Sequence, residues 1–144
     1  MIWLKIAIAL FVVLEIGNIM ILYFLPDSKL ANAMGYFKAW EKSKSDPEVH
    51  EMAKYLVNWV AGTKLIFIML LGILFFSANE STLVVTAAAM IIAISSFYWR
   101  LFPSMRKMDQ QGQIDPKGYS AALGWMILGM IILFAGAIIM AVLR

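Results

Sequence analysis

Glu15 and Lys64 are ionisable residues set in the middle of long apolar stretches, spanning about 3–25 and 55–76. A charge in the hydrocarbon of a bilayer costs roughly 2.5–3.5 kcal/mol on insertion scales, so such residues mark a pathway or find a partner. Glu15 lies ten residues from Leu25, and Lys64 lies nine residues from Tyr55. At a rise of ~1.5 Å per residue these are depths of about 15 and 14 Å, one level in the membrane. The two stretches are consecutive and antiparallel, so the charges can be neighbours. Asn18 follows Glu15 by one helical turn, and Thr63 adjoins Lys64. Ser95 and Ser96 lie slightly shallower in the third apolar stretch, and Asn58 is shallower again. The expected site is a polar cavity among the first three spans, with Glu15 as a proton or cation site and Lys64 as its counter-ion. The same residues also suit a structural salt bridge, with Asn and Ser hydrogen bonds fixing helix register.

The elements that must hold these residues follow from composition. The 144 residues are 62% hydrophobic and 15% charged, and mean hydropathy is +0.82. A soluble domain is about half apolar and a quarter charged. The excess falls in long runs without strand-like alternation, which points to helices solvated by lipid. The expected fold is an all-α membrane protein in one integral domain, 1–144. It is a four-transmembrane-helix bundle with spans of about 3–25, 55–76, 82–102 and 119–143. The first stretch resembles a signal peptide but is too long for its apolar region and has no small-residue cleavage pattern. Pro26-Asp27 ends span one, and Asp46-Pro47 is a helix-start signal before span two. Between them, Leu30, Met34, Phe37 and Trp40 recur at helical spacing among lysines. That pattern predicts an additional amphipathic interfacial helix over about 28–45. The link 77–81 predicts a tight hairpin of spans two and three. Pro103 follows span three, and 104–118 reads as a polar loop with a turn at Asp115-Pro116. Gly129 stands at the depth of Glu15 and Lys64, where it suits close helix approach.

Basic residues orient the chain. The side bearing the two long connections carries Lys29, Lys38, Lys42, Lys44, Lys54, Arg100, Arg106, Lys107 and Lys117; the other carries Lys5 and Arg144. The expectation is an integral protein of the cell membrane, termini outside and long connections cytoplasmic. Arg100, Arg106, Lys107 and Lys117, with Trp40 and the nearby Tyr98, Trp99, Phe102 and Tyr119, are candidate contacts for lipid headgroups.

Other chemistries have less support. The chain has no cysteine and one histidine, which excludes disulfides and a Cys-based metal site. His50, Glu51, Asp109 and Asp115 are the candidate groups for an interfacial enzyme, but no spacing among them identifies a nucleophile or acid–base pair. His50 with its acidic neighbours reads as a polar helix start. The eleven methionines are spread along the chain as flexible packing. No metal, cofactor or nucleic-acid partner is expected. Membrane lipids, a further copy of the chain or another membrane protein are the expected partners. The leading expectation is a transporter or channel-like protein for an ion or small solute. The alternative is a non-catalytic lipid-binding protein or accessory subunit of a membrane complex.

Leu14-Glu15-Ile16-Gly17 resembles the first helix of small multidrug resistance transporters. That resemblance implies a glutamate alternating between a proton and a cationic substrate. It covers these residues alone. The motifs of that family's later helices are not visible, and Lys64 opposes a cationic substrate, so no family is assigned.

Overall fold

A computed structural model describes residues 1–143; Arg144, counted above among the basic residues, lies outside them. The described chain is helical throughout, apart from turns and one isolated bridge between Phe37 and Ile114. The helices are α1 (Ile2–Phe24), α2 (Lys38–Ser43), α3 (Pro47–Ser77), α4 (Glu80–Ser95), α5 (Leu101–Gln110) and α6 (Tyr119–Val142). Four helical stretches are long and apolar enough to cross a membrane: Ile2–Phe24, Pro47–Ser77, Glu80–Gln110 and Tyr119–Val142. The third is not a continuous α-helix. It passes through a 3-10 turn at Ser96–Tyr98 before α5 begins.

Local chemistry sets several boundaries. The Asp46 carboxylate accepts from the backbone N–H groups of Glu48 and Val49 at 3.2 and 3.3 Å, with Pro47 at the first helical position. These residues satisfy donors that a helix start leaves free. Asn79 caps α4 in the same way, accepting from the Thr82 N–H at 2.9 Å. Pro103 does not end the third span as expected. It stands in the first turn of α5, where a missing N–H breaks no intrahelical bond. The loop is therefore 111–118, shorter than the expected 104–118.

The bundle is organised around α1, which packs on α3, α6 and α4, while α4 and α5 both pack on α6. Spans two and three are joined by a two-residue link, yet α3 rests mainly on α1 and α4 mainly on α6. The expected tight hairpin is thus a divergent pair, and it leaves space between α3 and α5–α6. The sealed core lies toward the end bearing the N-terminus, where Leu4, Ala7, Ile8, Leu83, Ala87 and Phe134 are fully buried. Outward positions such as Val13, Phe76, Ile92 and Val142 are apolar and exposed. That is the inverse of a soluble surface and suits a lipid solvent.

The expected continuous helix over 28–45 is replaced by turns, a 3-10 turn at Met34–Tyr36 and the short α2. Ala31 takes a left-handed conformation at φ 46°. Met34 N–H bonds back to the Pro26 carbonyl at 2.9 Å, and Gly35 N–H to the Ser28 carbonyl at 3.1 Å. A Cβ at Gly35 would stand 2.2 Å from the Asp27 carbonyl oxygen, so the fold-back needs glycine there. The segment pairs with the other long connection instead of continuing its own helix. Lys38 N–H donates to the Gln113 carbonyl and Asp115 N–H to the Tyr36 carbonyl, both at 2.9 Å. Tyr36 stacks on Tyr119 at 3.9 Å, and Lys29 pairs with Asp115. The two connections form one interlocked end of the molecule, called the connection end below.

Candidate functional site

The Lys64 ammonium donates to the Glu15 carboxylate at 2.7 Å. The helices α1 and α3 that carry them are packing partners, so equal depth becomes contact. The pair is not sealed. The side chains keep 22% exposure at Glu15 and 29% at Lys64. One turn further from the connection end, Phe11 meets Phe67 edge-on at 6.3 Å and Phe134 at 5.8 Å. Phe11 is four residues before Glu15, and Phe67 three after Lys64, so helical periodicity places an aromatic layer directly beside the ion pair.

On the connection side of that layer the helices splay. A cavity of about 490 Å³ lies between α3 and α5–α6, with Glu15 and Lys64 in its wall. A second cavity of about 440 Å³ lies between α1, the end of α4 and α6. Both are lined by Glu15, Asn32 and Phe97. These are volumes of the size that small-molecule sites occupy.

Asn18 lines the second cavity. It is 5% exposed, and neither its amide oxygen nor its amide nitrogen has a hydrogen-bond partner among the described residues. Ser96 and Arg100 border the same space. The Ser96 hydroxyl donates to the Ala93 carbonyl at 2.6 Å, a local bond that competes with regular helix. The remaining expected site residues line neither cavity, although Thr63 borders a shallow groove beside Lys64. Thr63 is exposed and donates to the Trp59 carbonyl at 2.9 Å. Asn58 is exposed on α3, and Ser95 is half-buried outside both linings. Gly129 has no neighbour that a Cβ would touch, so it does not mediate close approach. Gly124 does, since a Cβ there would stand 2.9 Å from Phe102. Sequence reasoning missed Asn32, which reaches the site from a connection without helical periodicity. Arg100, expected at the headgroups, is exposed beside Trp99, and the break at 96–100 also brings it to the cavity edge.

The basic-aromatic edge is more dispersed than expected. Arg106 borders a groove of about 450 Å³ between α5 and α6, with Tyr98, Ser120 and Trp125. Lys107 and Lys117 are exposed. Trp40 is not at the headgroup surface. It is 5% exposed, its indole N–H donates to Asp27 at 2.7 Å, and its ring lies 4.8 Å from that of His50. Lys44 and the Trp40 indole, both hydrogen-bonded to Asp27, hold its carboxyl below the usual range, and Lys29 does the same for Asp115. These bonds secure the connections.

The groups considered for catalysis have separate structural partners. His50 Nδ1 lies 2.8 Å from the Ser43 hydroxyl, and Lys54 donates to Glu51 at 2.9 Å. Asp109 is buried and accepts from Gly118 N–H at 2.9 Å, Ser120 N–H at 3.0 Å and the Ser120 hydroxyl at 2.6 Å. It therefore ties α5 to the start of α6. Among the described residues no three His, Cys, Asp or Glu side chains gather as metal ligands do. No protein family, curated protein or solved structure matches the chain.

Proposed function

We propose that the protein carries a small solute across the membrane through the cavity beside the Glu15–Lys64 pair. The observation that supports this reading is the placement of the pair. It stands in the wall of a cavity of about 490 Å³, not in a close-packed core, with the Phe11–Phe67 contact just beyond it. A solute entering from the connection end meets two opposite charges that neutralise one another. Protonating Glu15, or inserting a charged group between the partners, opens the pair. The low dielectric disfavours leaving either charge alone, so opening is coupled to binding. The aromatic layer is the barrier that a carrier must move to reach the other side.

In this proposal the connection end faces the cytoplasm of a cell membrane, because the basic residues of the long connections lie there. The interlocked segment over 28–45 then rests at the headgroup level with the exposed Lys38 and Lys42 toward anionic lipid, while Lys29 and Lys44 are held by Asp115 and Asp27. Four spans enclose little, so an assembly of several copies provides a longer path.

The test is flux into proteoliposomes across a panel of protons, alkali cations, organic cations and organic anions. The expected result is transport of at least one class, reduced tenfold or more by Glu15→Gln and by Lys64→Ala. Unchanged flux of every tested solute in both variants sinks the proposal. A second reading, a lipid-binding or accessory protein, draws on the Arg106 groove between α5 and α6. That reading predicts no flux above empty liposomes from the wild-type protein.

A further inference from the structure

The second cavity has a chemistry that the ion pair does not explain. Asn18 is a buried amide with no partner on either end among the described residues, and a buried polar group without a hydrogen bond is costly unless something else supplies it. Opposite it, the third span breaks at 96–100, and Ser96 and Arg100 from the break line the same space. Asp109 meets the first turn of α6, and Arg100 stands nine residues before it, so the break is ~14 Å along the helix from the connection end. The break lies inside the third apolar stretch, where non-helical backbone is tolerated if it is buried or lines a cavity, and broken spans of this kind point helix ends at ligands.

The donor inventory gives the sign of the ligand. Leu101, the first residue of the ten-residue α5, lines the cavity, and Arg100 before it makes no side-chain cap. The first turn of α5, in which Pro103 has no N–H, therefore contributes chiefly the positive end of its dipole. Arg100 is exposed and lies 5.4 Å from the centre of the Trp99 ring, and it has no carboxylate partner among the described residues. Asn18 adds two amide N–H donors. Glu15 is the only acid in the lining, and Lys64 already neutralises it. Asn32 and Ser96 are the other polar groups in the wall, and the rest is apolar, including Phe11, Leu14, Met126 and Met130.

We infer that this cavity binds an amphiphilic organic anion, its carboxylate held by Arg100, the α5 N-terminus and Asn18, and its apolar body lying toward Met126 and Met130. The inference rests on the solute-carrying proposal and names its substrate class. A medium-chain fatty acid arriving from the bilayer and a soluble aromatic carboxylate share this chemistry.

The experiment measures retention of radiolabelled octanoate by the full-length protein in phosphatidylcholine nanodiscs, against empty discs. Unlabelled octanoate, benzoate and octylamine serve as competitors. Saturable binding is expected, weakened at least tenfold by Asn18→Leu and by Arg100→Gln, and displaced by octanoate but not by octylamine. Strong displacement by benzoate assigns the site to soluble carboxylates, and weak displacement assigns it to membrane-borne ones. Retention equal to empty discs overturns the inference, as does equal displacement by octylamine. Equal affinity in folded samples of both variants does so too; the competitor arm needs only the wild-type chain. Octanoate binding with no flux of any solute removes the carrier proposal and leaves this site. Glu15-dependent flux without octanoate binding removes the site alone.

Discussion

Removing one partner of the Glu15–Lys64 pair should cost more than removing both. Lys64→Ala leaves a carboxylate among apolar side chains, and breaking one side of a buried pair costs about 3–5 kcal/mol. Both residues retain partial exposure, so about 3 kcal/mol is the expected loss. In the double variant Glu15→Gln, Lys64→Met no charge remains to be stranded, and stability should return to within about 1 kcal/mol of the wild type. Reversible unfolding in mixed micelles checks this cycle, and additive losses would contradict it. Asn18 contrasts with the pair. Its amide is buried yet unpartnered, the condition expected of a residue kept for something other than stability.

At the scale of elements, the connection over 25–46 shows tertiary pairing overriding local periodicity. Its apolar spacing is helical, but the Gly35 fold-back and the bridge from Phe37 to Ile114 need a chain that turns. Gly35→Ala should therefore disrupt the connection end while leaving the four long helices in place. The expected result is a fall of several degrees in the unfolding midpoint, with far-UV helicity nearly unchanged and faster proteolysis within 25–46. An unaltered proteolysis rate would show that the fold-back is not needed. The break in the third span is the other decisive element. Its two adjacent serines and Pro103 are visible in the sequence, yet proline alone suggested an ending at 103. Whether the chain stops there or restarts depends on Asp109 finding the start of α6.

At the scale of the molecule, the carrier proposal makes the division between a sealed end and a splayed end set which side a solute reaches first. The absence of cysteine makes that side directly measurable. With a single cysteine at Gln111 or at Ser81, a membrane-impermeant thiol reagent applied to intact cells should label the Ser81→Cys variant and not the Gln111→Cys variant. Both should label after the membrane is opened. The reverse pattern would invert the proposed orientation, and the cavity would then open to the outside.

The solvent class and the four apolar stretches were legible in the sequence, because they depend on composition along a single strand of chain. So was the approach of Glu15 to Lys64, because depth follows from residue count and a fixed rise per residue. Contacts between elements were not legible in this way. Trp40 has the spacing of an interfacial anchor but turns inward because Asp27 and His50 lie beneath it. Arg100 has the sequence position of a headgroup anchor and is exposed, and it also lines a cavity because the helix breaks beside it. Asn18 is one turn from Glu15 in any helix, yet its isolation depends on which neighbours α4 and α6 bring. The sequence by itself determined where charges are expensive, since that is a property of each residue and its depth. Only the tertiary structure decided which of them face a partner and which face a cavity, since that follows from how helices distant in sequence come together.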